Sequence, residues 1–321
     1  MRALANVLRT RLFSSSPVLS IVVVVFNMAR EATRTLHSLS PSYQVGVSES
    51  EYEIVVVDNG SVPPFRLPES SPGNVRYFHI DNASPSPAAA LNFGVRQSRG
   101  KYVATIIDGA RLLTPGVIRY ALRAFQAFSE PVVTVPAWHL GPDLQRRAMR
   151  EGYDKDAEDK LLERIGWPAN AYRLFEISTL AASCGDGWFR PMAESSCLFT
   201  TRADFDAIGG YDERFSSPGG GLVSHDIYRR LCSLGNKDLV VLLGEGSFHQ
   251  VHGGISTNAL EEDFAQRYAA WYEEYRALLG EPHSLPTKAA HILGHAPPEL
   301  KRFLLFSAEK LPSGDHATAA S

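Results

Sequence analysis

Two groups of chemically active side chains stand at the ends of apolar segments in this sequence. Asp108 follows the β-branched run that begins at Tyr102, and Arg111 comes three residues after it. His249 and His252 lie three residues apart in a segment flanked by glycine. A carboxylate with two imidazoles can hold a divalent metal ion, and a guanidinium suits phosphate. The two groups therefore predict a metal or phosphate site if the fold brings them together.

Position 110 raises a question about such a site. A second carboxylate two residues after Asp108 would help to hold a metal, but the segment reads Asp108-Gly109-Ala110. The two histidines could replace the missing ligand, or they could be structural residues that bind no metal. Arg111 could instead supply the positive charge that a phosphate group requires.

The composition is that of an ordinary globular protein. The 321 residues are 44% hydrophobic and 21% charged, with a net charge of −3. Because neutralising phosphates requires a basic face, this net charge gives no electrostatic reason to expect nucleic acid as a partner. The three cysteines form no C-x-x-C pair and indicate neither a zinc knuckle nor a disulfide framework. A reducing compartment follows, and we expect a cytoplasmic protein.

The N-terminal segment differs from the rest of the chain. Residues 1–17 contain three arginines and no acidic residue, a pattern that resembles an organelle transit peptide. We predict instead that this segment is a disordered leader or reflects a misassigned start codon. The apolar run that follows, residues 18–26, is far shorter than the roughly 20 residues that span a bilayer. It predicts a buried strand, and the sequence contains no evident transmembrane segment.

Strand and helix patterns alternate along the first half of the chain, which predicts a mainly parallel sheet between helices. Ligands of such sheets bind outside the carboxyl ends of the strands. Phe26, Asn27, Asp58 and Asp108 all lie at such ends, so we expect them to share one binding edge. The second half is less regular, and the pattern of residues 152–166 predicts a charged, solvated helix.

Five segments, in this order, resemble family 2 glycosyltransferases, which have the GT-A fold: SIVVVVFN, EIVVVDNGS, ALNFGVRQSRGKYVATIID, FDAIGGYDERF and DIYRRLCSLG. The resemblance covers about residues 18–258. It implies a Rossmann-like, mainly parallel sheet sandwiched by helices, with residues 18–115 as the nucleotide-binding half and residues 116–258 as the acceptor half. Residues 259–321 would form a C-terminal helix and tail.

The resemblance also implies roles in binding the nucleotide-sugar donor. Asp58 matches the aspartate that contacts the base in this family, with Phe26 and Asn27 beside it. Asn92 falls in the helix that approaches the donor phosphates. Alternatively, Asn92 is an ordinary surface residue of that helix.

A divalent metal, Mn²⁺ or Mg²⁺, usually accompanies the donor in this family. Here Asp108 with His249 or His252 would hold the ion, and imidazole ligands favour Mn²⁺ over Mg²⁺. The alternative is that Arg111 replaces the metal charge.

The catalytic base of the family lies in a Glu-Asp pair, but Val223-Ser224 occupy that place here. We therefore expect a shift to His225-Asp226, with Glu194 as a further candidate for the base or for an acceptor contact. The alternative for this segment is helix capping, with Ser224 as the N-cap residue.

The predicted activity is transfer of a sugar from a nucleotide-diphosphate sugar to an acceptor hydroxyl, with inversion, in glycan biosynthesis. The acceptor would be a glycan, a lipid carrier or a protein, and a lipid carrier would bring the chain to a membrane transiently. Trp138, Trp167 and Trp188 could stack on sugar rings or belong to the core.

A non-catalytic module that binds a nucleotide sugar or a glycan is the main alternative function, because the Asp108-Gly109-Ala110 segment and the catalytic-base segment both depart from the family pattern. A nucleotidyltransferase is disfavoured, since no glycine-rich phosphate loop follows the first strand.

Overall fold

The computed structural model describes residues 16–235, 237–254 and 261–311, without the side chains of residues 261–263. The predicted leader, residues 1–17, therefore lies outside the described residues except for its last two. The same holds for the end of the predicted tail, residues 312–321.

Twelve strands are present in the described part of the chain. They are β1 (Leu19–Val25), β2 (Tyr52–Asp58), β3 (Val75–His79), β4 (Tyr102–Ile106), β5 (Arg111–Leu113), β6 (Pro131–Thr134), β7 (Ala137–Leu140), β8 (Ser178–Leu180), β9 (Cys197–Thr201), β10 (Asp238–Leu243), β11 (Ser247–His249) and β12 (Ala290–Gly294). Eight of them form the main sheet in the order β12-β10-β6-β9-β4-β1-β2-β3. Its strands run parallel apart from β9, which pairs antiparallel with both β4 and β6. The predicted mainly parallel sheet is confirmed.

The α-helices of the described residues are α1 (Ala29–Ser38), α2 (Ala88–Gln97), α3 (Val117–Ala127), α4 (Gln145–Ala148), α5 (Lys155–Ile165), α6 (Arg202–Ala207), α7 (Val223–Ser233), α8 (Glu261–Leu279) and α9 (Lys301–Glu309). Helix α5 begins after Asp154, whose side chain accepts a hydrogen bond from the Ala157 amide, and ends at Gly166 in the left-handed conformation. The predicted charged helix at this place is therefore present. No helix among the described residues is long and apolar enough to cross a membrane.

Both faces of the main sheet are covered, which explains the nearly continuous apolar pattern of its strands. In β1, Val22 and Val24 belong to the core on one face, whereas Ile21, Val23 and Val25 belong to the core on the other. Helices α2, α7 and α8 pack on the first face, and α1 and α3 pack on the second. The helix sandwich follows from this arrangement.

A second, four-stranded sheet in the order β5-β11-β7-β8 brings distant parts of the chain together. His249 in β11 pairs with Arg111 in β5 on one side and with His139 in β7 on the other. The sequence pattern predicted the histidine segment as a loop, but Ser247–His249 form a strand. This small sheet is the element that places His249 next to the end of β4.

Two of the three tryptophans considered for sugar stacking belong to the core. Trp138 and Trp188 are 0% and 1% exposed, and their rings contact each other at 5.3 Å between centroids. Trp167 packs beside His37 and Tyr43. These positions leave Trp138 and Trp188 no face for a ligand, so the core alternative is correct for both.

Candidate active site

A cavity of about 970 Å³ opens at the carboxyl ends of β1, β2 and β4. Asp108, Arg111, His249 and His252 line it, and so does Glu194. The two predicted groups of chemically active residues therefore meet in one cavity, although more than 130 positions separate them in the sequence.

Asp108, His249 and His252 form a compact group of ligand atoms. One oxygen or nitrogen atom from each lies within 4.8 Å of the others. His249 Nε2 lies 3.9 Å from Asp108 Oδ1 and 3.1 Å from His252 Nε2. Nitrogen and carboxylate donors in this proportion suit Mn²⁺ or Zn²⁺.

Gln145 fixes the orientation of the His249 ring. The Gln145 Nε2 amide donates to the His249 carbonyl at 2.8 Å and to the Leu140 carbonyl at 3.4 Å, so Oε1 is the acceptor atom of this side chain. His249 Nδ1–H donates to that Oε1 at 2.7 Å, which leaves the lone pair of Nε2 directed toward Asp108 and His252. A hydrogen bond on the second ring nitrogen is the usual support of a metal-binding histidine.

The charge state of the group also suits a metal. Burial and the positive guanidinium of Arg111 hold the pKa of His249 far below its usual range. The same two causes lower the pKa of His139, behind it, to about 3. Burial lowers the pKa of His252 too. All three imidazoles are therefore neutral near pH 7, which is the state that binds metal ions.

Arg111 makes a two-point contact with Asp108. Its Nε and Nη2 donate to Asp108 Oδ2 at 3.0 and 2.9 Å, and Oδ1 accepts from the Ala110 amide at 3.1 Å. Burial alone would raise the pKa of Asp108, but the charge of Arg111 holds that pKa below its usual range. The carboxylate is thus ionised, with one oxygen held by Arg111 and the other facing the histidines.

Phe26 and Asn27 form the neighbouring part of the cavity wall, as predicted from their place after β1. Phe26 is 51% exposed, which leaves its ring free for a planar ligand. Asn27 adopts a left-handed backbone conformation, with φ at +52°. Its Oδ1 accepts from the Val62 amide at 2.9 Å, and its own amide donates to Ser61 Oγ at 2.9 Å. These bonds tie the ends of β1 and β2 together.

Asp58, the predicted base-contacting residue, has a different environment. Its carboxylate is 0% exposed and accepts hydrogen bonds from the amides of Ser61 and Phe65 and from the Tyr77 hydroxyl. Burial would raise the pKa of Asp58, but these hydrogen bonds hold it below its usual range. The carboxylate shapes the turn after β2, and the cavity is lined instead by the next two residues, Asn59 and Gly60.

Asn92 lies away from the cavity. Its amide nitrogen donates to the Tyr211 carbonyl at 2.8 Å and to Glu213 Oε1 at 2.9 Å, and its oxygen accepts from the Tyr211 amide at 2.9 Å. Asn92 therefore anchors the turn before Tyr211. The predicted phosphate contact has no geometric support, because the side chain is fully engaged in this turn.

The candidates for the catalytic base separate clearly in space. Glu194 lines the cavity, its carboxylate accepts a short hydrogen bond from the Ser224 hydroxyl, and its Oε2 lies 3.6 Å from His225 Nδ1. Asp226 is buried on the other side of α7, where its Oδ2 accepts from Arg230 Nε and Nη2, both at 2.7 Å. The predicted shift to His225-Asp226 thus brings only His225 to the cavity.

The charge on Glu194 is stabilised locally. Burial would raise the pKa of Glu194, but His225, the Ser224 hydroxyl and Arg111 hold it below its usual range. Ser224 does not act as the helix N-cap, since α7 begins at Val223. Instead, its side chain supports the carboxylate, which is ionised at neutral pH and able to accept a proton.

An aromatic wall closes the cavity and was not recognised in the sequence. It consists of Phe264, Tyr268 and Trp271, which lie on one face of α8 at a spacing of four and then three residues. Phe264 stacks on Tyr268 at 5.3 Å between centroids. This spacing was the signal available in the sequence, but it is equally typical of a helix that only packs on a core.

Helix α8 is held over the cavity through the glycine-rich segment before α7. Glu274 Oε1 accepts from the amides of Ser216 and Ser217 at 2.8 and 3.0 Å. Gly221 has φ at +53°, and a Cβ atom there would meet Glu274 and Trp271 at 3.1 Å. The glycine therefore allows the close contact between this segment and the aromatic wall.

Comparison with known proteins identifies the family. The family model described as Glycosyl transferase family 2 matches residues 20–179 of this chain. The chain belongs to this family, as its sequence motifs predicted, and its sandwiched, mainly parallel sheet is the GT-A fold. A comparison with curated protein sequences gives no match.

Several solved structures are similar at low sequence identity. The crystal structure of S. aureus TarS aligns with a TM-score of 0.48 at 14% identity, over 80% of this chain and 39% of that one. TarS 1–349 in complex with UDP-GlcNAc gives 0.48 at 15% identity, over 80% and 66%. The mannosyltransferase PcManGT from Pyrobaculum calidifontis, in complex with GDP-Man and Mn²⁺, gives 0.49 at 14% identity, over 92% and 70%. The chain thus spans less than two thirds of these TarS chains.

Proposed function

We propose that this chain transfers a sugar from a nucleotide-diphosphate sugar to an acceptor hydroxyl, with inversion at the anomeric carbon. One observation carries the proposal: the group Asp108, His249 and His252 shares a single cavity with the ionised Glu194. A cavity of about 970 Å³ is in the size range of small-molecule and cofactor sites.

Asp108, His249 and His252 fit a divalent metal, because they offer one carboxylate and two neutral imidazoles. The hydrogen bond from His249 to Gln145 fixes the orientation of the His249 ring. A metal bound there would supply positive charge for the diphosphate leaving group. Arg111 adds a guanidinium to the same end of the cavity, and Phe26 offers a ring for the nucleobase. We therefore place the donor at this end, with Asn59 and Gly60 at its base rather than the carboxylate of Asp58.

Glu194 is the proposed general base. As the bond between the anomeric carbon and the diphosphate oxygen breaks, its electron pair remains on the diphosphate. The acceptor oxygen forms the new bond to that carbon, and its proton passes to Glu194. Ser224 and His225 orient the carboxylate and stabilise its charge.

The aromatic wall on α8 is the proposed acceptor side. Tyr268 and Glu194 line the same cavity. An aromatic wall in the same cavity as the Glu194 carboxylate suits a sugar ring, which has both apolar C–H faces and polar edges. We accordingly favour a glycan acceptor over a peptide.

Replacing Tyr268 tests this placement of the acceptor. Tyr268→Leu should raise the acceptor KM by about 2- to 10-fold, since an aromatic contact contributes about 0.5–1.5 kcal/mol beyond its buried area. Tyr268→Phe keeps the ring and should retain the wild-type KM. Steady-state kinetics with separate variation of donor and acceptor provide the measurement. An unchanged acceptor KM in Tyr268→Leu, or an equal rise in the donor KM, would remove the acceptor from this wall.

The competing function is a binding module without turnover, favoured by the alanine at position 110. Thermal shift with UDP-, GDP- and dTDP-sugars, with and without Mn²⁺, distinguishes the two functions when it is followed by an assay of nucleoside diphosphate release. The enzyme proposal expects Mn²⁺-dependent stabilisation by one donor and slow nucleotide release. Stabilisation without release over long incubation would support the binding module.

A further inference from the structure

A charged cluster lies directly behind the candidate metal site. It joins α1 to α5 and consists of Arg30, Glu31, Lys155, Glu158 and Asp159. The sequence pattern predicted a solvated helix at α5, yet the side chain of Glu158 is 0% exposed. Because burial of a carboxylate is costly without strong partners, the contacts of Glu158 require an explanation.

Glu158 and Arg30 together hold both backbone groups of Val251. The Val251 amide donates to Glu158 Oε2 at 2.7 Å, and the Val251 carbonyl accepts from Arg30 Nη2 at 3.1 Å. The same Arg30 nitrogen donates to Glu158 Oε1 at 2.9 Å. One ion pair therefore fixes the peptide groups on either side of Val251, and the residue that follows is His252.

The residues before Val251 have their own supports. The Gln250 amide donates to the Ala110 carbonyl at 2.8 Å, and Gln250 Nε2 donates to the Glu31 carbonyl at 3.2 Å. His249 is held by Gln145. Glu158 and Arg30 thus provide the last of three successive anchors along residues 249–251.

The anchor at Val251 is stronger than an ordinary loop contact. Hydrogen bonds between backbone groups and ionised side chains are roughly twice as strong as those between neutral groups. Burial raises the pKa of Glu158 to about 7, so Glu158 is largely ionised at pH 8. Arg34, with Nη1 at 3.9 Å from Glu158 Oε1, adds a second positive charge.

We propose that Glu158, paired with Arg30, is a positioning residue that sets the place of His252 for metal binding by holding Val251. This inference rests on the proposed function, because it takes Asp108, His249 and His252 as the ligands of the metal. It explains why α5 carries a buried, charged residue that the proposed binding of donor and acceptor does not require.

Glu158→Gln tests this proposal in the full chain, with Mn²⁺ alone as the probe. Glutamine keeps the size of the side chain but removes the charge that pairs with Arg30. Loss of such an outer support typically weakens metal binding by about 10–100-fold. We expect this change in Kd by isothermal titration at pH 8, where the wild-type carboxylate is ionised.

Asp159→Asn is the matched control. Asp159 is the next residue of α5 and pairs with both Arg30 and Arg34 at 2.8 Å, but its side chain is 44% exposed and has no contact with Val251 among the described residues. Exposed ion pairs contribute little, so we expect a Kd within about twofold of the wild type. A second readout is the visible absorption of bound Co²⁺, which depends on the number and geometry of the ligands and should change in Glu158→Gln but not in Asp159→Asn.

Arg30→Lys provides a second variant in case Glu158→Gln does not fold. Lysine keeps the positive charge beside Glu31 but cannot contact Glu158 and Val251 through one planar group. It should also weaken Mn²⁺ binding and change the Co²⁺ spectrum. Folded variants that keep the wild-type Kd and spectrum would overturn the positioning role while leaving the metal site intact. A wild-type chain that binds no Mn²⁺ would instead overturn the metal site of the proposed function, and the inference with it.

Discussion

Glu194→Gln is expected to lower the rate of sugar transfer by about 10²–10⁴-fold, the usual contribution of a general base. The amide keeps the size of the side chain and can still accept from Ser224, but it cannot take the proton of the acceptor hydroxyl. Donor binding should change little, because Glu194 is not among the residues that hold the diphosphate in our proposal. The measurement is the steady-state kcat for transfer together with the donor Kd by titration.

Asp226→Asn makes the same carboxylate-to-amide change in the other candidate. Asp226 is buried in an ion pair with Arg230, so this variant should lose stability without losing turnover per folded molecule. The melting temperature and kcat, measured well below the melting range, separate the two effects. The assignment of the base would be wrong if Asp226→Asn abolished transfer and Glu194→Gln retained it.

His252→Ala should abolish metal-dependent turnover and weaken Mn²⁺ binding by at least about 100-fold, since it removes one of three protein ligands from the site. Charge stabilisation of this kind contributes several kcal/mol to the transition state, so the loss in rate should be large. Mn²⁺ titration and transfer kinetics in the same preparation provide the measurement.

His291→Ala is the control for this prediction. His291 lies on the edge strand β12 with its side chain 55% exposed, and it faces Asp238 rather than the cavity. It should behave as the wild type in both measurements. Full activity of the wild type in EDTA would contradict the metal proposal and favour Arg111 as the source of positive charge.

The sequence predicted the fold well because the signals of the main sheet are local. Continuous β-branched runs such as β1 occur where both faces of a strand are buried, and this pattern depends on the strand alone. The carboxyl ends of these strands then placed Phe26, Asn27 and Asp108 at one edge. The small second sheet was missed because β5, β8 and β11 contain only three residues each, too few for a period to be recognised.

The candidate site was less predictable from the sequence, because the role of each side chain depends on its tertiary contacts. Asp58 and Asn92 are polar residues at suitable places in the chain, but the structure engages both in turns. Glu194 and Ser224 are 30 positions apart, and only the packing of α7 brings the hydroxyl to the carboxylate. No local pattern distinguishes Glu194 from Asp226 as the residue that reaches the cavity.

The alanine at position 110 also has a structural explanation. Ala110 is 0% exposed and its side chain belongs to the core that covers the α1 and α3 face of the main sheet. A carboxylate there would be buried among apolar side chains, at a high cost in free energy. Asp108 therefore has no second acidic neighbour, and His249 and His252 supply the nitrogen atoms that complete the group.

The central claim is that Asp108, His249 and His252 bind one divalent metal beside the donor diphosphate. Anomalous diffraction at the manganese edge, from a crystal soaked with Mn²⁺ and the stabilising nucleotide sugar, tests it most directly. We predict one peak in contact with all three side chains and with the diphosphate. A diphosphate bound by Arg111 with no manganese peak among those residues would contradict the claim.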